Sequence, residues 1–380
     1  MYKTIAILLS LLLVFGMLSC NLDGSGIFLT ISESTEIADS TLAAEPVRDI
    51  LYKNDVTNIM YILHGFTVKK SLITDTDPTW VKMAFPTPVV EAVYFEGATD
   101  DDDKLYFSSI IDGIKTVYVS NINNPGIATP INNLIGIQVI DMLIDGNNVY
   151  VITYGDGEIT ISAINAASSD TIFSTNTFSS TRPPTAVHFV SNGTNPANKH
   201  FIFVHSDATQ GYINSFLNLS DLSTATVFNV SDDAAKNSPI IGAYAYDTTI
   251  YLVTNEGILI TSDVNLSSFT AVNKTDPSEF MSLVLTSAIT SIPMTVVTIG
   301  TTELLLIGGL SGIYYYDIAS PSSTDIPLEF TSDDAFYSSL SSTPIMDFYN
   351  VPGDFPLYTA TSDKWIWQTT DEESVSTQLL

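Results

Sequence analysis

An all-β chain assembled from repeated four-stranded units is what the sequence predicts, on three observations. First, a glycine between two apolar, alternating segments recurs at Gly65, Gly113, Gly157, Gly211, Gly257 and Gly312, with Lys364 in the seventh place. The spacings are 48, 44, 54, 46, 55 and 52 residues, each long enough for one four-stranded unit. Second, an apolar strand opens every unit upstream of its glycine, often behind a proline: PVRDIL from Pro46, PVVEAV from Pro88, QVIDML from Gln138, PTAVHF from Pro184, PIIGAY from Pro239, AITSI from Ala288 and PIMDFY from Pro344. Proline suits a strand's first position, where no ladder hydrogen bond is required. Third, no long helical period interrupts the series. Two anchors in the same order seven times predict a seven-bladed β-propeller of four-stranded antiparallel blades over residues 46–380.

Within a unit the elements follow in order. The opening strand leads through a polar loop to a second strand, such as NVYVITY from Asn148 or TIYLVTN from Thr249. The glycine then turns the chain into a third strand, as in YLVTNEGILITSD from Tyr251, where a positive φ would make a tight hairpin. Fourth strands are weaker; WVKMAF from Trp80, TIFSTN from Thr171, TVFNVS from Thr226 and FTAVNK from Phe269 are the candidates. A blade buries both faces against its neighbours, so its strands alternate less cleanly than half-exposed ones. Closing such a ring requires a chain end to complete the last blade, and either IFLTIS from Ile27 or SVSTQLL from Ser374 can supply that strand.

Charge narrows the partners. The chain carries 42 acidic and 13 basic residues, a formal net charge of -29, which repels nucleic acid and anionic lipid surfaces. The same acidity favours a soluble monomer.

The N-terminus gives an address. MYKTIAILLSLLLVFGMLSC places Lys3 before an apolar run too short to span a bilayer comfortably, the pattern of a signal peptide over residues 1–19. Cys20, the single cysteine, follows directly after Ser19. This arrangement resembles the lipobox of bacterial lipoproteins, although Met17 and Leu18 depart from its usual residues. The resemblance implies that Cys20 is lipidated, that residues 20–45 are a tether, and that the protein sits in the bacterial cell envelope, held on the extracytoplasmic side of a membrane through its lipid alone. The repeat resembles β-propellers broadly, including sialidase-like and lipoprotein scaffold families, but lacks the WD dipeptide, the kelch double glycine and the full Asp-box.

Most motifs that suggest chemistry have a plainer explanation. His64-Gly65 resembles the His-Gly near the oxyanion site of α/β-hydrolases, yet no G-x-S-x-G elbow exists in the chain, which leaves His64 as a turn residue. A sialidase cluster of three arginines is excluded by a total of two, Arg48 and Arg182. His200 and His205 are an odd number of positions apart and so face opposite ways on one strand, which argues against a zinc site shared with His188. Four aspartates, Asp100 to Asp103, lack EF-hand spacing and read as a solvated loop. Tyr314, Tyr315, Tyr316, Trp365 and Trp367 read as blade packing.

One pattern survives. Stacking the seven opening strands on their first residue gives Asp49, Glu91, Asp141, Val187, Gly242, Ser291 and Asp347 at the fourth position. The acidic ones, Asp49, Glu91, Asp141 and Asp347, belong to units adjacent around a closed ring, and they are the candidate ligand-binding residues. Such a set can meet a cation, with calcium the one candidate cofactor, or a basic or polyhydroxy ligand. It can equally accept hydrogen bonds from the backbone of the next blade, the reading favoured for a position repeated in a shared unit. No catalytic residue or metal ligand is assigned. The expected function is a non-enzymatic binding or scaffold module for an envelope protein or a glycan, with an exported carbohydrate-active enzyme using paired carboxylates as the alternative.

Overall fold

The second strand of the first unit, IMYILH, is apolar at five consecutive positions, which a strand tolerates only when both of its faces are covered. The computed structural model shows what covers them. It describes residue 42 and residues 45–380, apart from 75–77, 112, 136, 192–198, 208–210, 219–221, 223–227, 230–238, 255–256, 263–267, 273–290, 310–311, 319–327, 330–339, 341–342, 352, 363–365, 371–376 and 380. The signal-type segment, Cys20, IFLTIS and Trp365 lie outside the described residues. By contacts the chain divides into Met1–Ser40 and Thr41–Leu380, and the described residues belong to the second unit.

Seven four-stranded antiparallel sheets follow one another along the sequence. The first is β1 (Val47–Lys53), β2 (Ile59–His64), β3 (Thr67–Leu72) and β4 (Val81–Lys82); the second is β5 (Glu91–Phe95), β6 (Lys104–Ile111), β7 (Ile114–Asn121) and β8 (Ala128–Pro130). The third is β9 (Gln138–Asp145), β10 (Asn148–Gly155), β11 (Glu158–Asn165) and β12 (Ile172–Ser179). The fourth is β13 (Ala186–Ser191), β14 (Lys199–Asp207), β15 (Gly211–Asn218) and β16 (Phe228–Asn229); the fifth is β17 (Ile240–Tyr246), β18 (Thr249–Thr254), β19 (Gly257–Thr261) and β20 (Thr270–Val272). The sixth is β21 (Met294–Ile299), β22 (Thr302–Gly309), β23 (Gly312–Asp317) and β24 (Leu328–Glu329); the seventh is β25 (Ile345–Tyr349), β26 (Leu357–Thr361), β27 (Ile366–Thr369) and β28 (Thr377–Leu379). The C-terminal segment supplies the fourth strand of the last sheet. Outer strands have only two or three residues, β12 excepted, which keeps most open edges short.

The period of two decides which neighbour each side chain meets. In β2, Met60 and Ile62 pack with Tyr358 and Ala360 of the seventh sheet, whereas Tyr61 and Leu63 pack with Ala92 and Tyr94 of the second. In β10, Val149 and Val151 join the second sheet's Phe95 and Tyr106, and Tyr150 and Ile152 join Phe201 and Phe203 of the fourth. The described residues form seven buried apolar clusters, one for each pair of neighbouring sheets, the seventh and first included. Opening strands of successive sheets touch one another in cyclic order, and β25 touches β1.

The repeating glycines turn between second and third strands; Gly65, Gly113, Gly157 and Gly312 all have positive φ. At Gly65 a Cβ would also stand 1.6 Å from a Glu45 carboxylate oxygen, so this position excludes a side chain on two counts. Leu42 is buried against the first and seventh sheets, so packed structure reaches back beyond Pro46.

Three expectations need correction. The sixth opening strand is Met294–Ile299, not AITSI; the Pro293 carbonyl accepts from Gly308 N at 2.9 Å, as Pro46 accepts from Gly65 N at 3.1 Å and Pro344 from Ser362 N at 3.0 Å. Pro293 is thus the proline that leads the opening strand of that unit. His64 is not a turn residue: it ends β2, buried, with its Nε2 3.1 Å from the Leu42 carbonyl. The aspartate run is solvated only in part. Asp100–Asp102 form an exposed turn of 3-10 helix, but Asp103 is buried and accepts from the Tyr94 hydroxyl and from Gly97 N.

Candidate functional site

The acidic fourth positions follow a local irregularity. The ladder of β1 with β2 skips a residue between Val47 and Asp49, that of β25 with β26 skips one between Ile345 and Asp347, and β9 skips Ile140 just before Asp141. A bulge of this kind breaks strict alternation and re-aims the next side chain, here toward the neighbouring opening strand. The fifth sheet has the same bulge ahead of Gly242, but a Cβ there would lie 2.6 Å from Ile292 Cγ1 and 2.8 Å from Met294 Sδ. Apolar side chains from the next unit occupy the space an acid would need. In the sixth sheet the equivalent of Asp49 is Thr295, paired with Leu306 as Asp49 is with Leu63, and its hydroxyl donates to Asn350 of the seventh sheet. Ser291 precedes the strand.

Asp49 and Asp347 are brought together. Ile50 N of the first sheet donates to Asp347 Oδ2 at 2.9 Å, and the two carboxyl groups hydrogen-bond each other. Burial raises Asp347 well above the carboxylate range, and the charge of Asp49 and the bond donated to it add to the rise; the Ile50 and Phe348 N–H groups oppose it. Asp49 is also raised by burial, although the Asp347 bond, the Arg48 charge and Ile50 N–H pull it down. Both acids are thus displaced upward, Asp347 the further.

Glu91 and Asp141 join them electrostatically. Burial pushes Asp141 up to about 8, the charges of Glu91 and Asp49 contributing, against a hydrogen bond from its neighbour Met142 N at 2.8 Å. Burial lifts Glu91 to about 7 despite Arg48 and Lys115. Its Oε2 is enclosed and has no hydrogen-bond partner. Arg48 supplies the local cation, but its Nη1 is committed to carbonyls, Gly65 O at 3.2 Å and Val90 O at 2.7 Å, and its guanidinium lies over the exposed Phe66 ring. Each of the four acids keeps some surface exposure while being surrounded closely enough for desolvation to dominate. Among the described residues no group of three or more His, Cys, Asp or Glu is arranged to hold a metal ion.

His188 plays a part the sequence reading missed. Facing the fifth sheet from β13, its Nε2 lies 2.9 Å from the Ile240 carbonyl. A carbonyl only accepts, so Nε2 carries the proton and Nδ1, 3.5 Å from Ser291 Oγ, is the free acceptor. Burial holds this imidazole down to about 4, against the bond to Ile240. Ion pairs rivet other junctions: Lys104 of the second sheet to Asp170 of the third at 2.8 Å, with the Tyr106 hydroxyl also donating to Asp170, and Lys199 of the fourth to Asp145 of the third. Only spatial neighbourhood reveals these pairs, because the partners lie 66 and 54 residues apart.

No protein-family profile and no curated protein matches this chain. Solved structures do. PorZ, an essential bacterial surface component of the type-IX secretion system of Porphyromonas gingivalis, is similar over 90% of this chain and 38% of its own, at 13% identity and a TM-score of 0.52. Raptor from Chaetomium thermophilum gives 13% identity and a TM-score of 0.51 over 90% of this chain and 30% of its own. The dihydro-heme d1 dehydrogenase NirN gives the same identity and TM-score over 90% of this chain and 67% of its own. The chain thus spans about two-fifths or less of the first two. The likeness to PorZ and NirN is one of fold alone, and it shows an all-β, propeller-type architecture.

Proposed function

We propose that this chain is a seven-bladed β-propeller, lipid-anchored through Cys20 on the extracytoplasmic side of a bacterial membrane, that binds an envelope protein or glycan without catalysing a reaction. One observation carries the non-enzymatic reading: two of the recurrent acids join sheets, Asp347 being bonded to Ile50 N and to Asp49 of the neighbouring sheet, while Asp141 accepts from Met142 N of its own strand. Carboxyl groups held by backbone donors and neutralised by burial are poor ligands for a cation. Recognition then falls to loops, where the units differ most. Seven sheets in cyclic contact support the blade count. The export pattern and the Cys20 position support the address. PorZ, a surface component, offers a precedent at the level of fold only.

The test has two arms. Fatty-acid labelling of the full chain in a bacterial host should require Cys20, and a Cys20→Ser chain that still labels contradicts the anchor. The double variant Asp49→Asn with Asp141→Asn should leave binding of the partner unchanged; a loss of binding in a folded variant contradicts the structural role of the acids.

The unpartnered Glu91 Oε2, raised to about 7 beside Asp141, is the observation that favours the carbohydrate-active alternative, since a glycosidase acid must stay protonated near neutral pH. Hydrolysis of an envelope glycan abolished by Glu91→Gln would establish that reading in place of the first.

A further inference from the structure

The junction of the first and seventh sheets differs from the other six in its connectivity. Every other pair of neighbouring sheets is joined by the chain itself, whereas the first and seventh are the sequence-distant ends of the series. Noncovalent contacts alone hold this seam. They comprise the apolar cluster around Val47, Ile50 and Tyr358, the Tyr349 hydroxyl on the Lys53 carbonyl at 3.1 Å, Lys53 over the Tyr358 ring, and the bonded pair Asp49 and Asp347 with Ile50 N.

We propose that Asp49 and Asp347 form a proton-operated latch: one shared proton holds the seam between β1 and β25 shut, and its loss parts the two strands. Two carboxylates in hydrogen-bond contact repel when both are ionised. The groups facing the pair relieve that repulsion only in part. Arg48 draws Asp49 down, but its guanidinium also serves Glu91 and is hydrogen-bonded to the Gly65 and Val90 carbonyls, while Glu91 and Asp141 add charge of the same sign and Lys115 acts on Glu91. At the far end of the seam Lys53 is paired with Asp55. The sign follows from the upward displacement of both acids. Stability from the shared proton is complete below the ordinary carboxyl value and is lost as pH rises through the displaced one. The latch thus opens on the alkaline side and exposes the facing apolar surfaces of the first and last sheets. It stands apart from the proposed binding function, because neither the anchor nor a partner enters the argument.

Backbone amide exchange on the full chain, corrected for intrinsic base catalysis and followed from about pH 5 to about pH 9.5, tests the latch. Protection at Ile50 and Phe348 is expected to fall by at least about tenfold across that range, while Leu252 at the junction of fourth and fifth sheets stays constant. Asp347→Asn keeps both contacts without a proton to lose, its Oδ1 accepting from Ile50 and its Nδ2 donating to Asp49, so its protection should remain flat. Asp49→Asn should do the same and serves if the first variant does not fold. Glu91→Gln combined with Asp141→Asn should retain the wild-type fall. A flat wild type, or asparagine variants that lose protection as the wild type does, overturns the latch. So does a fall abolished by the Glu91 and Asp141 changes, which would assign the titration to those groups.

Discussion

Two junctions solve one problem by opposite means. Between the seventh and first sheets an acid accepts from a backbone N–H and is displaced toward its protonated form; between the fourth and fifth a base donates to a backbone carbonyl and is displaced toward its neutral form. In each case burial has moved the group toward neutrality, upward for Asp347 and downward for His188. The difference teaches that an ionisable residue on an opening strand need not mark a ligand. It can serve as a polar bond between sheets, provided it stays uncharged, and the price is sensitivity to pH on one side. The acid junction weakens in alkali and the imidazole junction in acid.

The largest expected effect comes from moving the acid. Gly242→Asp puts a carboxyl where Ile292 and Met294 already stand, and should cost about 3 kcal/mol or more in urea unfolding. A cost below about 1 kcal/mol would show that the fifth sheet has room and that packing does not explain its glycine. Next, Asp347→Ala strips the Ile50 N–H and the Asp49 carboxyl of their partner and should cost about 2 kcal/mol at mildly acidic pH, read the same way. His188 then sharpens the contrast. Its folded value of about 4 lies below the usual 6.5, so its contribution is complete above about pH 6.5 and is lost as pH falls toward 4. His188→Gln, which retains a donor for Ile240, should flatten that acid limb of the melting temperature; an unchanged limb would assign it to other groups. The smallest effect belongs to Glu91→Gln, which removes a displaced acid and should raise the melting temperature above about pH 7 while leaving it alone near pH 5.

Much of the fold was legible because the blade-forming signal is local. Glycine turns and strands often led by proline recur every 44 to 55 residues, and burial of both faces explains the apolar runs of β2 and β10. The sixth unit was misplaced for a physical reason: AITSI and IPMTVV are both strand-like, and only the hydrogen bond of Gly308 N to the Pro293 carbonyl sets the register. The site was legible in part. Stacking the strands picked out Asp49, Glu91, Asp141 and Asp347, but not the bulges that aim three of these acids, since a skipped residue leaves no mark in composition. Asp103 was hidden inside an aspartate run whose other members are exposed, and His188 in a strand whose partner carbonyl lies 52 residues away. Contacts between distant units are a property of the closed arrangement, and a single sequence does not display them.

The shared proton is the centre of the account, and carboxyl chemical shifts read it directly. With aspartate labelled at the side-chain carbon and Asp49→Asn and Asp347→Asn chains used for assignment, the carboxyl resonances of the full chain can be followed through pH. One carboxyl of the Asp49–Asp347 pair is expected to remain protonated well above the ordinary aspartate range, with its partner shifting in concert. Two resonances that titrate independently at ordinary carboxyl values would contradict the shared proton, and with it the view that these acids hold the sheets together.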